Sequence, residues 1–390
     1  MNGSIRIGTI RGIPLQISAS WLIVFVLFLW TFASSYYPDR YEGWTSQAYF
    51  AAALVTVVLF FASIVVHELG HATIAARYGI RTRSITLLPI GGIAEIEREA
   101  QRPVEEFAIA IAGPVTSLLL GGLFFGLYYL LHPISVPLGG ITAYLGLVNI
   151  FLGVFNLLPG YPMDGGRVLR AIVWGGTKSY SLGTRVAANV GSLVAYAFIF
   201  FGVTLLFRGQ VANGVILAFT GWFILSSAQG TVQQLTLQRG LTGVSVDHVM
   251  TREFVTVESA TPLAQVVSDT MLAHNTRFAA VEHYGQFVGF LTLADLMRAP
   301  QDQWATVRAD AVMIPRGRLA TATPAEPALT ALERMQAGDY NQMPVVTGDE
   351  MVGLLTRNDV LRFLHLRESL HLPTTGDDSK PPAMVEEVPQ

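Results

Sequence analysis

The sequence predicts a polytopic α-helical membrane domain, six transmembrane helices with a small β-hairpin element, followed by a cytoplasmic α/β module. Three observations carry that prediction. Residues 1–236 of the 390-residue chain hold six long apolar runs, each able, as a helix, to cross a hydrocarbon core of about 30 Å. Lys and Arg concentrate in every second connection between those runs. Residues 244–367 lose the long apolar runs and contain one internal repeat. Composition agrees, since 51% of residues are apolar and only 14% charged, too hydrophobic for an ordinary soluble protein.

The elements follow in order. The opening "MNGSIRIGTIRGIPLQIS" alternates like a strand, and the apolar run behind it is long enough to span, so no cleavable signal peptide is expected. The spans are placed at 19–36, 49–77, 106–131, 141–158, 186–207 and 211–229. Arg6 and Arg11 precede the first. Arg77, Arg81, Arg83, Arg98 and Arg102 follow the second, and Arg167, Arg170, Lys178 and Arg185 follow the fourth, whereas the opposite side carries only Arg40 and Arg208. This asymmetry puts the N-terminus and the C-terminal module on the cytoplasmic face of a cell membrane. Between spans two and three, "RSITLLPIGGIAEIE" reads as a hairpin turning at Gly91–Gly92. Its edge strand suits pairing with an unwound substrate segment.

The chemistry concentrates in span two. Residues Ala51 to Val66 carry no charge, and then His67, Glu68 and His71 fall within five positions. Ionisable groups at membrane depth are costly unless partnered or functional. On a helix, His67 and His71 lie one turn apart on one face and can reach one ion, while Glu68 points aside, where it would poise a water. That is the H-E-x-x-H arrangement of zinc hydrolases, which needs a third protein ligand. The chain has no cysteine, so thiolate ligands and disulfides are excluded. His132 lies in an outward loop. Asp164, in "FNLLPGYPMDGGR" at the cytoplasmic end of span four, matches the two histidines in depth, and Pro159, Gly160 and Pro162 would break the helix beside it. Asn156, about two turns earlier, is a buried amide donor that also suits an interhelical hydrogen bond. The bland alternative for the cluster is a polar network holding helices together.

"HELGHA" with a downstream "NLLPGYPMDGG" resembles the site-2 protease family of intramembrane zinc metalloproteases. "RIGTIRGIPLQISASWL" and the "AGP" at Ala112–Pro114 are similar to the family's patterns as well, so the resemblance covers residues 5–230. It implies that His67, His71 and Asp164 hold one Zn2+, that Glu68 is the general base, and that Asn156 helps position the cleaved carbonyl. Met163 stands where relatives usually have Leu. Ser117 stands where many carry Asn, which bears on what span three offers the substrate.

In the C-terminal half, Val249–Met250 and Val312–Met313 are 63 residues apart, and "VGFLTLADLMR" returns as "VGLLTRNDVLRF". A tandem repeat is the reading, with copies at 244–300 and 306–367. It resembles a pair of CBS domains, which implies adenine nucleotide binding, ATP for instance, between the copies. By that resemblance Asp295 and Asp359 contact ribose and Thr292 and Thr356 lie near phosphate. A Thr before a helix is equally a cap, and a ligand-free homodimerisation module is the rival reading. The polar, Pro-containing residues 371–390 are expected to be disordered.

The resulting expectation is an intramembrane zinc endopeptidase modulated by nucleotide. Its partner would be a single-span membrane protein, which the resemblance suggests is an anti-sigma or pro-sigma factor. A net charge of -3 without a basic patch excludes nucleic acid as a partner. A proteolytically silent scaffold would have no use for the full ligand set. A metal transporter would need further ionisable residues along a path across the bilayer.

Overall fold

The computed structural model describes residues 4–89, 91–370 and 377–382. The chain forms two compact units. The first runs to Leu235 and takes in a return segment starting at Asp377; the second begins at Thr236.

Six helices of the described residues are long and apolar enough to span: Ala19–Arg40, Ser46–Arg77, Pro103–Leu131, Val136–Asn156, Tyr180–Phe207 and Val211–Leu241. Each starts near where hydropathy predicts. The last extends twelve residues past its expected end at 229, because "GTVQQLTLQRGL" is polar but rich in Gln and Leu, which keep helical propensity. Span two begins at an N-cap, Thr45, whose hydroxyl accepts from the Ala48 N–H at 3.3 Å. It buries Ala52, Ala53, Thr56, Val57, Phe61 and Ile64 along one face, which carries on to His67 and His71. Large apolar side chains such as Trp30, Leu193, Phe200 and Phe207 point outward, a surface suited to lipid rather than water.

The β element is larger than a hairpin. β1 (Ser4–Ile10), β2 (Ile13–Ser18), β3 (Thr82–Leu88) and β4 (Gly91–Ile96) form one sheet in that order. β2 and β3 run parallel and the outer pairs antiparallel. β1 and β2 are joined at Arg11 and Gly12, both with positive φ, as a two-residue hairpin turn requires. The expected Gly91–Gly92 turn is one step off: these glycines open β4, opposite Leu88 and Leu87, and Pro89 takes the turn. A rigid φ serves Pro89 there, and Gly92 is glycine for a different reason given below.

Between spans four and five the chain was expected to be a polar connection. It contains an amphipathic helix, Asp164–Thr177, with Gly166, Arg170 and Trp174 on its buried stripe. Its four-residue spacing is the helical signal, but its low hydropathy hides it from a search for spans.

In the second unit, β5 (Thr256–Glu258) runs parallel to β6 (Phe278–His283), which pairs antiparallel with β7 (Gln286–Thr292). The next strand on β7 is β8 (Ile314–Pro315), from the start of the second copy. In that copy β9 (Gln342–Thr347) pairs with β10 (Glu350–Thr356), and Thr251, from the start of the first copy, bridges Leu354. The exchange is reciprocal. A Cβ on Gly289 would lie 2.5 Å from the Met313 sulfur, and one on Gly353 2.6 Å from that of Met250. The repeated Met and Gly in the sequence are therefore one contact made twice.

Residues 371–376 and 383–390 lie outside the described residues. Asp377–Pro382, within the stretch expected to be disordered, lie against the first unit: the Tyr180 N–H donates to the Asp378 carbonyl at 2.8 Å, and Pro381 is buried.

Candidate metal centre

Span two delivers His67 and His71 to one face, and the first residue of the amphipathic helix delivers Asp164. His67 Nε2 and His71 Nε2 are 3.2 Å apart, and each is 3.2 Å from Asp164 Oδ2. A tetrahedral zinc with bonds of roughly 2.0–2.1 Å sets its ligand atoms about 3.3 Å apart. The donor set fits.

The other ring nitrogens are fixed from span three. His71 Nδ1 lies 2.7 Å from the Ile109 carbonyl, to which it must donate, leaving the Nε2 lone pair for the ion. His67 Nδ1 lies 2.8 Å from Ser117 Oγ. Ser117 is fully buried, and this contact fixes the orientation of the His67 ring. Gly113 floors the site. A Cβ there would stand 2.1 Å from His71 Nε2 and 2.6 Å from His67 Nε2, in the space the ion would need. Only glycine leaves that cradle open, which gives the "AGP" of span three its physical reason.

Burial alone would raise the Asp164 carboxyl, but hydrogen bonds and charge from His67 and His71 hold it well below the usual carboxylate range. Such a carboxylate is suited to holding a cation.

The three ligands and Glu68 line a cavity of about 540 Å³ with Asn156 and Arg167. β4 forms another wall through Gly91–Ala94. A Cβ on Gly92 would meet the Glu68 Cγ at 2.8 Å, so this glycine lets the strand pass directly over Glu68. Asn156 ends span four, and its Nδ2 donates within the helix to the Leu152 carbonyl at 3.0 Å. One amide hydrogen remains for a group in the cavity. The interhelical bond weighed for it is made by Asn149 instead, whose Nδ2 donates to Ser63 Oγ at 3.2 Å. A second groove, of about 640 Å³, lies between spans five and six, and its lining holds Ser192, Tyr196 and Gln229 but no carboxylate or imidazole.

Sequence reasoning missed the support behind Asp164. On the same helix, Arg170 donates through Nε to the buried Glu106 of span three at 2.8 Å, and its guanidinium lies 4.6 Å from the Tyr180 ring centroid. Arg170 was counted as a loop charge, yet it is only 9% exposed. Its place on the 166/170/174 stripe was the available signal.

Thr292 with Asp295, and Thr356 with Asp359, form two capping boxes in the second unit. Each Asp accepts from its Thr backbone N–H, at 3.0 and 3.1 Å. Capping thus accounts for both residue types in each pair.

Comparison with known proteins shows the family to which the chain belongs. The model of peptidase family M50 matches residues 55–137 and 129–202, and that of the CBS domain matches 246–302 and 309–366. Rip3 of Mycobacterium tuberculosis is 32% identical over 93% of this chain and 93% of its own length. Zinc metalloprotease MJ0392 of Methanocaldococcus jannaschii is 29% identical over 95% of this chain and 99% of its own. Among solved structures, a site-2 protease from the same archaeon is 33% identical, with a TM-score of 0.41, over 59% of this chain and 95% of that one. The chain belongs to peptidase family M50, the site-2 type of zinc metalloprotease. It is a multi-pass membrane metalloendopeptidase carrying a CBS pair.

Proposed function

We propose that this protease cuts a peptide bond in or near the transmembrane segment of a single-span membrane protein, releasing a cytoplasmic fragment in regulated intramembrane proteolysis. The observation that carries the reading is the sharing of one cavity by His67, His71 and Asp164, by Glu68, and by β4. Among the described residues β4 pairs only with β3, so its open edge faces the position a substrate strand would take.

A transmembrane helix shields its own carbonyls in hydrogen bonds, so the scissile segment must unwind first. β4 would hold it extended by main-chain hydrogen bonds. His67, His71 and Asp164 would hold zinc, which when bound supplies Lewis acidity to the scissile carbonyl and acidifies water beside it. Glu68 takes the proton of the attacking water and later passes it to the leaving amine. Asn156 lines the cavity, and its second amide hydrogen would steady the carbonyl oxygen as charge develops.

The charge asymmetry supports cytoplasmic termini in the cell membrane. A membrane-tethered regulator such as an anti-sigma or pro-sigma factor is the substrate class the family resemblance suggests. The CBS pair would bind adenine nucleotide and modulate turnover, or join two chains in a homodimer.

The test is cleavage of a single-span test substrate by purified protein in detergent, beside Glu68→Gln and chelator-treated wild type. Loss of cleavage in both controls supports the enzyme. If zinc-loaded wild type leaves a panel of single-span substrates intact, intramembrane cleavage is wrong and a partner-binding scaffold takes its place.

A further inference from the structure

The C-terminal segment Asp377–Pro382 makes a set of contacts that protease chemistry does not use. Asp378 sits at the N-terminus of span five, a 28-residue helix whose N-cap is Ser179. Its carboxylate accepts from the Ser179 and Ser181 hydroxyls and, at 3.2 Å, from the Ser181 N–H. A carboxylate there satisfies orphan N–H groups and meets the positive end of the helix dipole. One residue on, the Ser379 carbonyl accepts the Trp174 indole N–H at 2.8 Å. Trp174 is buried, with its ring centroid 5.2 Å from that of Tyr180, and packs with Leu235.

Trp174 belongs to the helix that begins with Asp164. About 15 Å of rigid helix separates the two residues, and Arg170, one turn before Trp174, ties the same helix to Glu106 and to the Tyr180 hydroxyl. Whatever grips Trp174 thus grips the element that supplies the third ligand. The chain leaves the first unit after Leu235, builds the CBS pair and returns at Asp377, so the contact lies downstream of the module that would sense nucleotide.

We propose that Asp377–Pro382 is an intramolecular strap, an acidic peptide ligand seated on the start of span five and on Trp174, whose engagement holds the Asp164–Thr177 helix where it completes the metal site. The strap deepens the protease reading and rests on it only for the identity of the metal.

The chain has no cysteine, which makes the docking directly testable. Ser179→Cys with Asp378→Cys is prepared in the full chain, with a protease-cleavable sequence within 371–376 and a C-terminal tag. After mild oxidation and cleavage the tag stays with the membrane half until reductant is added. Arg208→Cys with Asp378→Cys, at the far end of span five about 40 Å away, releases it. Zinc loss to a chelator is then followed for wild type, Asp378→Ala and a chain ending at Leu370. Both variants lose zinc faster, on the order of tenfold, and adding the 371–390 peptide to the shortened chain slows the loss again.

Failure of the Ser179–Asp378 pair to cross-link overturns the docking. Cross-linking with unchanged zinc retention in both variants overturns its hold on the helix, and a wild type that never retains zinc overturns both strap and metal. Neither readout needs this protein's own proteolytic activity, so a zinc-retaining, cross-linked but inactive protein would refute the protease reading and leave the strap standing.

Discussion

Replacing Gly113 with alanine adds one methyl group, and the structure places it between the two imidazoles. Moving that Cβ from 2.1 Å to an ordinary contact distance of 3.4 Å from His71 Nε2 requires a shift of about 1.3 Å, with a second conflict at His67 Nε2. Neither ring can swing away cheaply, because Ile109 and Ser117 hold their Nδ1 atoms. A zinc–nitrogen bond stretched by that much no longer exists. Disturbing groups one layer behind a ligand typically costs 10- to 100-fold in metal affinity, so displacing a ligand itself should cost at least about 100-fold. Overpacking should also lower folding stability by roughly 1–3 kcal/mol. The assay is zinc stoichiometry and competition with a chelator for Gly113→Ala, with Gly122→Ala as control, since nothing lies within 4 Å of a Cβ at Gly122 on the same helix. A Gly113→Ala protein holding one zinc per chain at wild-type affinity would refute the account of the cradle.

Ser117→Ala should weaken zinc binding by about 10- to 100-fold while leaving the fold intact, because only the orienting partner of His67 is lost; chelator competition and thermal melting separate the two effects. Gly92→Val should leave zinc in place and lower kcat, since its Cβ presses on Glu68 and not on a ligand; equal zinc occupancy with unchanged kcat would contradict it. Arg170→Met leaves the buried Glu106 with the more distant Arg167, 3.9 Å away, and should cost about 3 kcal/mol, read as a lower Tm. The double variant Arg170→Met with Glu106→Leu should recover much of that loss, and a double variant no better than the single would show the ion pair is not the cause.

The clustering of His67, His71 and Asp164 was legible because a helix places residues four apart on one face, and because charge is rare enough at membrane depth that Asp164 stood out. The same rarity misled elsewhere. Arg170 looked like a solvated loop charge because the amphipathic helix carrying it has no run of hydrophobic residues, and Glu106 disappeared at the edge of a span. Gly91–Gly92 carried a turn signature, yet the close pass of β4 over Glu68 is a tertiary demand that local pattern does not encode. Capping and nucleotide contact call for the same Thr and Asp, so the repeat itself was clear while the work of its polar residues was not. The segment around Asp378 was composed like a disordered tail, since a few hydrogen bonds and one buried proline need no hydrophobic pattern.

The strand exchange in the CBS pair bears on how the protein is made. At about 5–20 residues per second, β7 leaves the ribosome roughly one to four seconds before Ile314, its outer neighbour, follows it out. Until then the first copy presents an unfinished sheet edge with Gly289 uncovered, open to mispairing. A message truncated between the copies would leave that edge exposed for good. The membrane half, complete by then apart from its C-terminal return segment, can insert and pack while its soluble half is still waiting for its second copy.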